Sequence, residues 1–131
     1  MSTNPGYAST PRNSSVSIST ANTNRDGTGT VGTVFTAGSS GSRIDQIQIC
    51  PAGTVTAGMV RIFIHNGTSY FLYREVPITA NTPSGTAAVV PVTLSTGAYP
   101  DMPIILPSGY SLRASTHNAE TFHVTAIGGD F

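Results

Sequence analysis

The chain has 131 residues and a mass of 13.5 kDa, so it can hold one domain, or one domain and a tail. Only 9% of the residues are charged, and six arginines balance six acidic residues to a formal net charge of zero. This balance argues against nucleic-acid binding, because no excess of basic charge can neutralise phosphates. No apolar run is long enough to cross a membrane, and the N-terminus lacks the basic-then-apolar order of a secretory signal.

Residues 1–30 differ in composition from the rest of the chain. They are rich in Ser, Thr and Asn, and their apolar side chains are sparse. Such a segment buries too little apolar surface to offset the backbone entropy lost on ordering, about 1–2 kcal/mol per residue. We therefore expect an extended or flexible N-terminal arm over residues 1–30. Two interpretations stay open, a disordered terminus and an arm that orders on a partner protein.

The larger side chains of the arm are the candidates for contact with a partner. The candidate protein-interface residues are the apolar and arginine side chains of the arm, with one tyrosine near a later loop: Tyr7, Arg12, Val16, Ile18, Arg25 and Tyr99. The Ser, Thr and Asn side chains around the arm residues can hydrogen-bond along a neighbour's surface.

From residue 31 onward the sequence predicts short strands rich in Val, Ile, Thr, Phe and Tyr and bounded by Gly, Pro, Asn or Ser. The predicted strands are Val31–Thr36, Arg43–Cys50, Met59–His65, Ser69–Ile78, Ala87–Leu94, Met102–Leu106, Tyr110–Thr116 and Thr121–Ile127. The step Asn66-Gly67 is the strongest short turn signal in the chain. Three prolines remove ladder donors, so we expect them at sheet edges, bulges or strand ends: Pro77, Pro91 and Pro103.

No stretch has the helical periodicity that a crossover helix needs. The sequence therefore predicts an all-β fold, a two-sheet antiparallel sandwich of about eight strands over residues 31–131. A jelly roll is the preferred topology. Strand count alone leaves an immunoglobulin-like sandwich open.

The sequence motifs for nucleotide binding, metal binding and catalysis are absent or lack the flanking elements and spacing that they require. Gly27–Gly32 satisfies G-x-G-x-x-G, but no strand precedes it and no helix follows, so a flexible hinge is expected there. The three histidines and the single Cys50 lack the spacing of a zinc site, so we predict no metal and no cofactor. There is no G-x-S-x-G elbow and no local acid pair, so we predict no catalytic residue and no enzyme activity.

The shortage of charge carries its own prediction. Soluble monomers usually keep mixed charges at the surface, whereas a surface of Ser, Thr, Gly and Asn loses its water at low cost because few ions are desolvated. We therefore expect much of this surface to face other protein. An alternative is a sugar-binding surface built from Tyr70, Phe71 and Tyr73 with the loop residues Tyr99 and Tyr110.

Six strand motifs carry a resemblance to a known family: Thr33–Gly38, Arg43–Ile47, Gly58–Ile64, Glu75–Ala80, Ser111–Thr116 and Gly128–Phe131. Together they resemble small structural proteins encoded among the head genes of tailed bacteriophages. The resemblance implies a capsid decoration (cement) protein of jelly-roll type. It would be made in the host bacterial cytoplasm and sit as a dimer or trimer on the outer surface of the virion.

That role implies the major capsid protein as partner, with neighbouring capsid subunits bridged and the shell stabilised. The second interpretation is a component associated with the tail or fibre, or a β-sandwich module that binds a host receptor glycan. A small hydrolase is the third.

Overall fold

The computed structural model describes residues 9–95 and 103–131 of the chain. Within those ranges the chain forms nine strands and no helix. The strands are β1 (Thr10–Ile18), β2 (Gly32–Thr36), β3 (Ser42–Pro51), β4 (Gly58–His65), β5 (Tyr70–Ile78), β6 (Val92–Ser95), β7 (Ile104–Leu106), β8 (Ser111–Thr116) and β9 (Phe122–Asp130).

The strands form two antiparallel sheets. Sheet 1 has the order β1-β9-β3-β6, with β7 also paired to β3, and sheet 2 has the order β2-β8-β4-β5. The chain crosses between the sheets at every connection except β4–β5 and β6–β7, which is the course of a jelly roll in which β6 and β7 share one strand position. The predicted all-β antiparallel sandwich is confirmed.

The core lies between the inner faces of the two sheets. Ile47 and Ile49 of β3 face inward with the alternation that the sequence predicts, as do Val60 and Ile62 of β4, and all four are fully buried. Each such side chain contributes about 1.5–3 kcal/mol relative to an exposed one. This aliphatic core holds the sandwich together without a disulfide, since Cys50 is the chain's single cysteine.

Two predicted strands need correction. The strand predicted at Ala87–Leu94 begins only at Val92, because Pro91 has no N–H to donate, and the side chain of Val90 is exposed. The strand predicted at Met102–Leu106 is Ile104–Leu106, and Met102 lies outside the described residues. The prolines lie as predicted, since Pro77 is on the edge strand β5 and Pro103 directly precedes β7.

The strand β1 is the main difference from the sequence analysis, which places no strand before Val31. All nine residues of β1 pair with β9, from Thr10 opposite Asp130 to Ile18 opposite Phe122. Burial alternates along β1, but two of its inward positions are Arg12 and Ser14. A search for alternating apolar residues misses such a strand. The division of the chain at residue 30 into arm and domain stays a prediction.

Gly128 is a position where the sandwich requires glycine. A bulge in β3 brings the Arg43 carbonyl over β9, and a Cβ on Gly128 would lie 1.8 Å from that oxygen. We expect Gly128→Ala to lower the free energy of unfolding by about 3 kcal/mol or more, because backbone has to move. Urea denaturation measures this. The control is Gly53→Ala, where a Cβ meets no atom within 4 Å; equal stability of the two variants would contradict the close approach.

Candidate assembly interface

The outer face of sheet 1, which we call the open face, is nearly free of charge. It is formed by the outward residues of five strands: Asn13, Ser15, Ser17, Arg43, Gln46, Gln48, Cys50, Thr93, Ile105, His123, Thr125 and Ile127. The charged groups on this face are Arg43 and Asp45, whose side chain is 43% exposed, and they form an ion pair with Nε of Arg43 2.6 Å from Oδ1 of Asp45. The rest of the open face is amide, hydroxyl, imidazole, thiol or aliphatic.

Side chains of the open face stand in rows across the strands. Ser15, Thr125, Gln48 and Thr93 follow one another through the registers of β1, β9, β3 and β6, and the Ser15 and Thr125 hydroxyls are 2.8 Å apart. Each of these side chains can both donate and accept hydrogen bonds. Ile127 on β9 is 39% exposed and Ile105 on β7 is 54% exposed. The face thus offers an array of neutral polar groups with two exposed isoleucines.

This chemistry limits what can cover the open face. Neutral amides and hydroxyls cost less to desolvate than ions, but each still needs a hydrogen-bond partner once buried. A purely apolar partner would leave them unsatisfied, and a highly charged one would gain no ion pairs. A fitting partner is a surface that also carries neutral polar groups.

The outer face of sheet 2 is covered by the chain itself. The connection between β1 and β2, residues 19–31, runs over this face, and we call it the strap. Arg61 and Phe63 point outward from β4, on the side opposite Val60 and Ile62, yet both are buried. The burial of both faces of β4 is the consequence of the strap.

Asn22 holds the strap at its centre and is 5% exposed. Its backbone N–H donates to the Thr116 carbonyl of β8 at 2.8 Å. Its side-chain amide donates to the carbonyls of Thr28 at 2.8 Å and Thr30 at 3.0 Å, which closes the loop on itself. The hinge predicted at Gly27–Gly32 is therefore a loop fastened by Asn22.

The buried guanidinium of Arg61 lies under the strap and is 1% exposed. It donates from Nη1 to the Asn22 carbonyl at 3.2 Å, and its Nη2 is 3.2 Å from Nδ1 of His117. Because a guanidinium only donates, Nδ1 of His117 is the acceptor. The Arg61 Nε makes an ion pair with Oε2 of Glu75 at 3.4 Å, without hydrogen-bond geometry.

Glu75 of β5 bridges Arg61 to the strap. Nε of Arg25 donates to the second carboxylate oxygen, Oε1, at 2.6 Å. The hydrogen bond from Arg25, followed by the charges of Arg25 and Arg61, holds the pKa of Glu75 below its usual value against the opposing effect of desolvation. The two arginines and the carboxylate tie the strap, β4 and β5 together.

A second set of contacts supports the far end of the strap. Gly27, at a φ of 87°, lies so close to the Tyr70 ring that a Cβ there would be 2.2 Å from a ring carbon. The ring of Tyr70 lies against that of His65, with the centroids 4.4 Å apart and the planes tilted by 51°, and the Tyr70 hydroxyl accepts from Nη1 of Arg113 at 2.8 Å. Burial, and then the charge of Arg113, lower the pKa of His65.

Arg12 fastens β1 to both sheets. Its Nη2 donates to Oδ1 of Asp130 at 2.8 Å and to the Thr36 carbonyl at 2.6 Å, and its guanidinium lies 3.9 Å above the Phe35 ring. Ser42 also donates to Oδ1 of Asp130, at 2.6 Å. The hydrogen bonds from Arg12 and Ser42 lower the pKa of Asp130.

The structure thus shows where four predicted interface residues lie. Arg12 and Arg25 make the intramolecular ion pairs described above, Val16 packs against the core, and Ile18 is part of it. These contacts attach the segment to its own sandwich, and a role in contact with another protein stays a prediction for all four. The other two predicted residues, Tyr7 and Tyr99, lie outside the described residues.

The sequence analysis missed the residues that hold the strap and β1. Arg61 carries a signal that could have been used, because it stands between Val60 and the Ile62-Phe63 pair in a strand that is otherwise apolar. An arginine there indicates that both faces of the strand are covered. Glu75 and Asp130 give no such signal, since their partners are 50 and 118 residues away.

Cys50 and His123 are directly opposite each other on the open face. Within residues 9–95 and 103–131, no three His, Cys, Asp or Glu side chains lie close enough together to hold a metal ion. The same part of the chain contains no helix with the length and apolar character needed to cross a membrane.

No protein-family model matches the sequence, and no curated protein matches it. The fold is similar to two crystal structures, each described as a pentameric capsid protein isolated from metagenomic phage sequences. Both share 13% sequence identity with this chain at a TM-score of 0.45 and cover 90% of it. The chain spans 67% and 61% of their respective lengths.

The Arg12 contacts predict that β1 depends on one guanidinium. Arg12→Met keeps the apolar stem over Phe35 and removes the ion pair and the cation–π contact, so we expect a loss of about 1–2 kcal/mol in the free energy of unfolding. Amide exchange along β1 and β9 should become faster. The control is Asn13→Ser, an exposed neighbour on the same strand. An unchanged denaturation midpoint in R12M would show that the guanidinium does not hold β1.

The strap contacts predict a loss of stability in acid, in two steps. The folded protein lowers the pKa of His65 below 6.5, so the stability linked to it is present above that pH and is lost as the pH falls through it. It lowers the pKa of Glu75 below 4.5, so that contribution is lost at lower pH. Melting temperature across a pH series measures both steps.

Two variants separate the steps. Glu75→Gln should remove part of the lower step and leave the upper one, whereas His65→Phe should flatten the upper step alone. The protection factor of the Asn22 backbone N–H, which removes the intrinsic pH dependence of exchange, reports on the strap directly and should decrease as the pH falls. A melting temperature in E75Q that depends on pH just as the wild type does would contradict the role of Glu75.

Proposed function

We propose that the protein is a phage virion structural protein that decorates the capsid and stabilises it by bridging neighbouring major capsid protein subunits. The observation that carries the proposal is the open face, a broad β surface whose charged side chains, Arg43 and Asp45, are already paired with each other. The resemblance of residues 31–131 to small structural proteins of phage heads supports the same class of role.

The physical basis is the difference between the two outer faces. The strap, a segment of the same chain, covers the outer face of sheet 2 and buries Arg61 and Phe63 there. No segment in the described ranges covers the open face in the same way. Neutral polar rows on a rigid sheet suit contact with another rigid protein surface. Weak contacts of this kind add up when many copies repeat them over a symmetric shell, and binding to the assembled state alone stabilises that state by mass action.

The primary test is an image of purified phage particles that contain the protein and of particles stripped of it. The proposal expects density on the outer surface of the head that disappears on stripping, together with a lower melting temperature of the stripped shell. Density on the tail or fibre, or an equally stable stripped shell, would overturn it.

A charge on the open face should weaken binding to the shell. Thr125→Glu places an unpaired carboxylate in the central row, and burying it in the contact costs several kcal/mol, so we expect affinity for stripped particles to fall more than about tenfold. The control is Thr68→Glu, at the exposed turn between β4 and β5 in sheet 2. Equal occupancy by the two variants would show that the open face does not bind the shell.

The alternative of glycan binding draws on the aromatic residues of β5. Tyr70 is engaged by Gly27, His65 and Arg113, and Tyr73 packs against the core, whereas Phe71 is 54% exposed. Binding of the full chain to host glycans that is lost in Phe71→Ala and retained in Thr125→Glu would favour this alternative.

A further inference from the structure

The turn between β4 and β5 contains the one Asn-Gly step of the sequence. The backbone N–H of Asn66 donates to the Ser69 carbonyl at 3.1 Å, which leaves Gly67 and Thr68 as the two turn residues. Gly67 has a φ of 97°, in the left-handed region that glycine enters at no steric cost. Because glycine has no side chain, its backbone nitrogen is the least hindered that can follow an asparagine.

The side-chain carbonyl of Asn66 is held by two backbone donors. Its Oδ1 accepts from the N–H of Thr68 at 3.0 Å and from the N–H of Ser69 at 2.7 Å. Two N–H groups aimed at one carbonyl oxygen stabilise negative charge that develops there when a nucleophile attacks the carbon. The amide of Asn66 is therefore polarised in the folded state.

A base lies against the neighbouring nitrogen. Nδ1 of His65 accepts the backbone N–H of Gly67 at 3.3 Å. The groups that face the imidazole are the Tyr70 ring from β5 and the Arg113 guanidinium from β8. Burial, and then the charge of Arg113, lower the pKa of His65, so the ring is neutral at pH 7 and Nδ1 carries a lone pair.

The geometry points to Asn66 as a site of self-catalysed deamidation, with His65 as the general base. His65 takes the proton from the Gly67 nitrogen as that nitrogen bonds to Cγ of Asn66. The oxyanion forms at Oδ1, between the two backbone N–H groups. The Cγ–Nδ2 bond then breaks, and Nδ2 leaves as ammonia with the proton that His65 returns. Water opens the cyclic imide to aspartate or isoaspartate, so one water is consumed and one ammonia released.

The modification would change the charge of the chain, whose formal net charge is zero. It places a carboxylate at the end of the β4–β5 hairpin, next to His65 in the chain. The isoaspartate product also lengthens the backbone within a two-residue turn. None of these steps depends on the proposed role in a shell.

The test follows the Asn66 amide by mass spectrometry of peptides from the full chain after incubation near neutral pH. His65→Phe keeps a ring on Tyr70 and removes the base. In the folded protein we expect deamidation at Asn66 to be about tenfold or more slower in H65F than in the wild type. In denaturant the two proteins should react at the same rate, because the His65 contact is lost. Asn118, which precedes Ala119, serves as the internal reference.

The pH profile separates the base from a merely structural histidine. In the wild type the rate should rise as His65 loses its proton and then level off, whereas in H65F it should keep rising with hydroxide. If H65F fails to fold, His65→Gln keeps an acceptor oxygen without a base and should be as slow. Equal folded rates in wild type and variant, or an Asn66 amide that persists in the folded protein and is lost in denaturant, would overturn the proposal.

Discussion

The buried guanidinium of Arg61 is the constraint on which the strap and the outer face of sheet 2 depend. An unpaired charge in such a place would cost several kcal/mol, so the fold has to surround it with acceptors. Two acceptors and one counter-charge come from three separate segments: the Asn22 carbonyl in the strap and the His117 imidazole after β8 accept hydrogen bonds, and the Glu75 carboxylate on β5 forms an ion pair. Because these groups lie on the strap, after β8 and on β5, Arg61 couples the position of the strap to the pairing of the strands beneath it.

This coupling gives the sandwich two unlike faces. On sheet 2 the strap buries Phe63 and Arg61, and it brings an arginine of its own to Glu75. On sheet 1 the outward side chains other than the paired Arg43 and Asp45 are neutral, and several belong to rows that extend across three or four strands. The segment that could have covered sheet 1 instead forms its edge as β1. The strap lies on sheet 2 and β1 lies at the edge of sheet 1, so neither segment covers the open face. Its neutral side chains therefore remain exposed, at a low cost of desolvation.

The parts of the fold that the sequence predicts are those with local signals. The alternation of Val60 and Ile62 with Arg61 predicts β4 and its inward face, and Asn66-Gly67 predicts the turn that follows. The contacts that hold the strap and β1 could not be predicted from the sequence, because they join residues far apart in the chain. Arg12 was singled out as a partner-binding residue, and its structural contacts are with Asp130 and Phe35. No local pattern contains that pairing, which exists only once β1 lies beside β9.

The strand β1 shows why the composition of residues 1–30 predicts an arm and no strand. Its inward positions include Arg12 and Ser14 where most strands carry aliphatic residues, so its own burial stabilises it little and the ion pair with Asp130 has to add to it. Its outward positions, Asn13, Ser15 and Ser17, form the margin of the open face. The sequence left two interpretations open, a disordered terminus and an arm that orders on a partner protein. In the structure β1 pairs with β9 of its own chain, and its outward side chains continue the neutral polar rows of the open face.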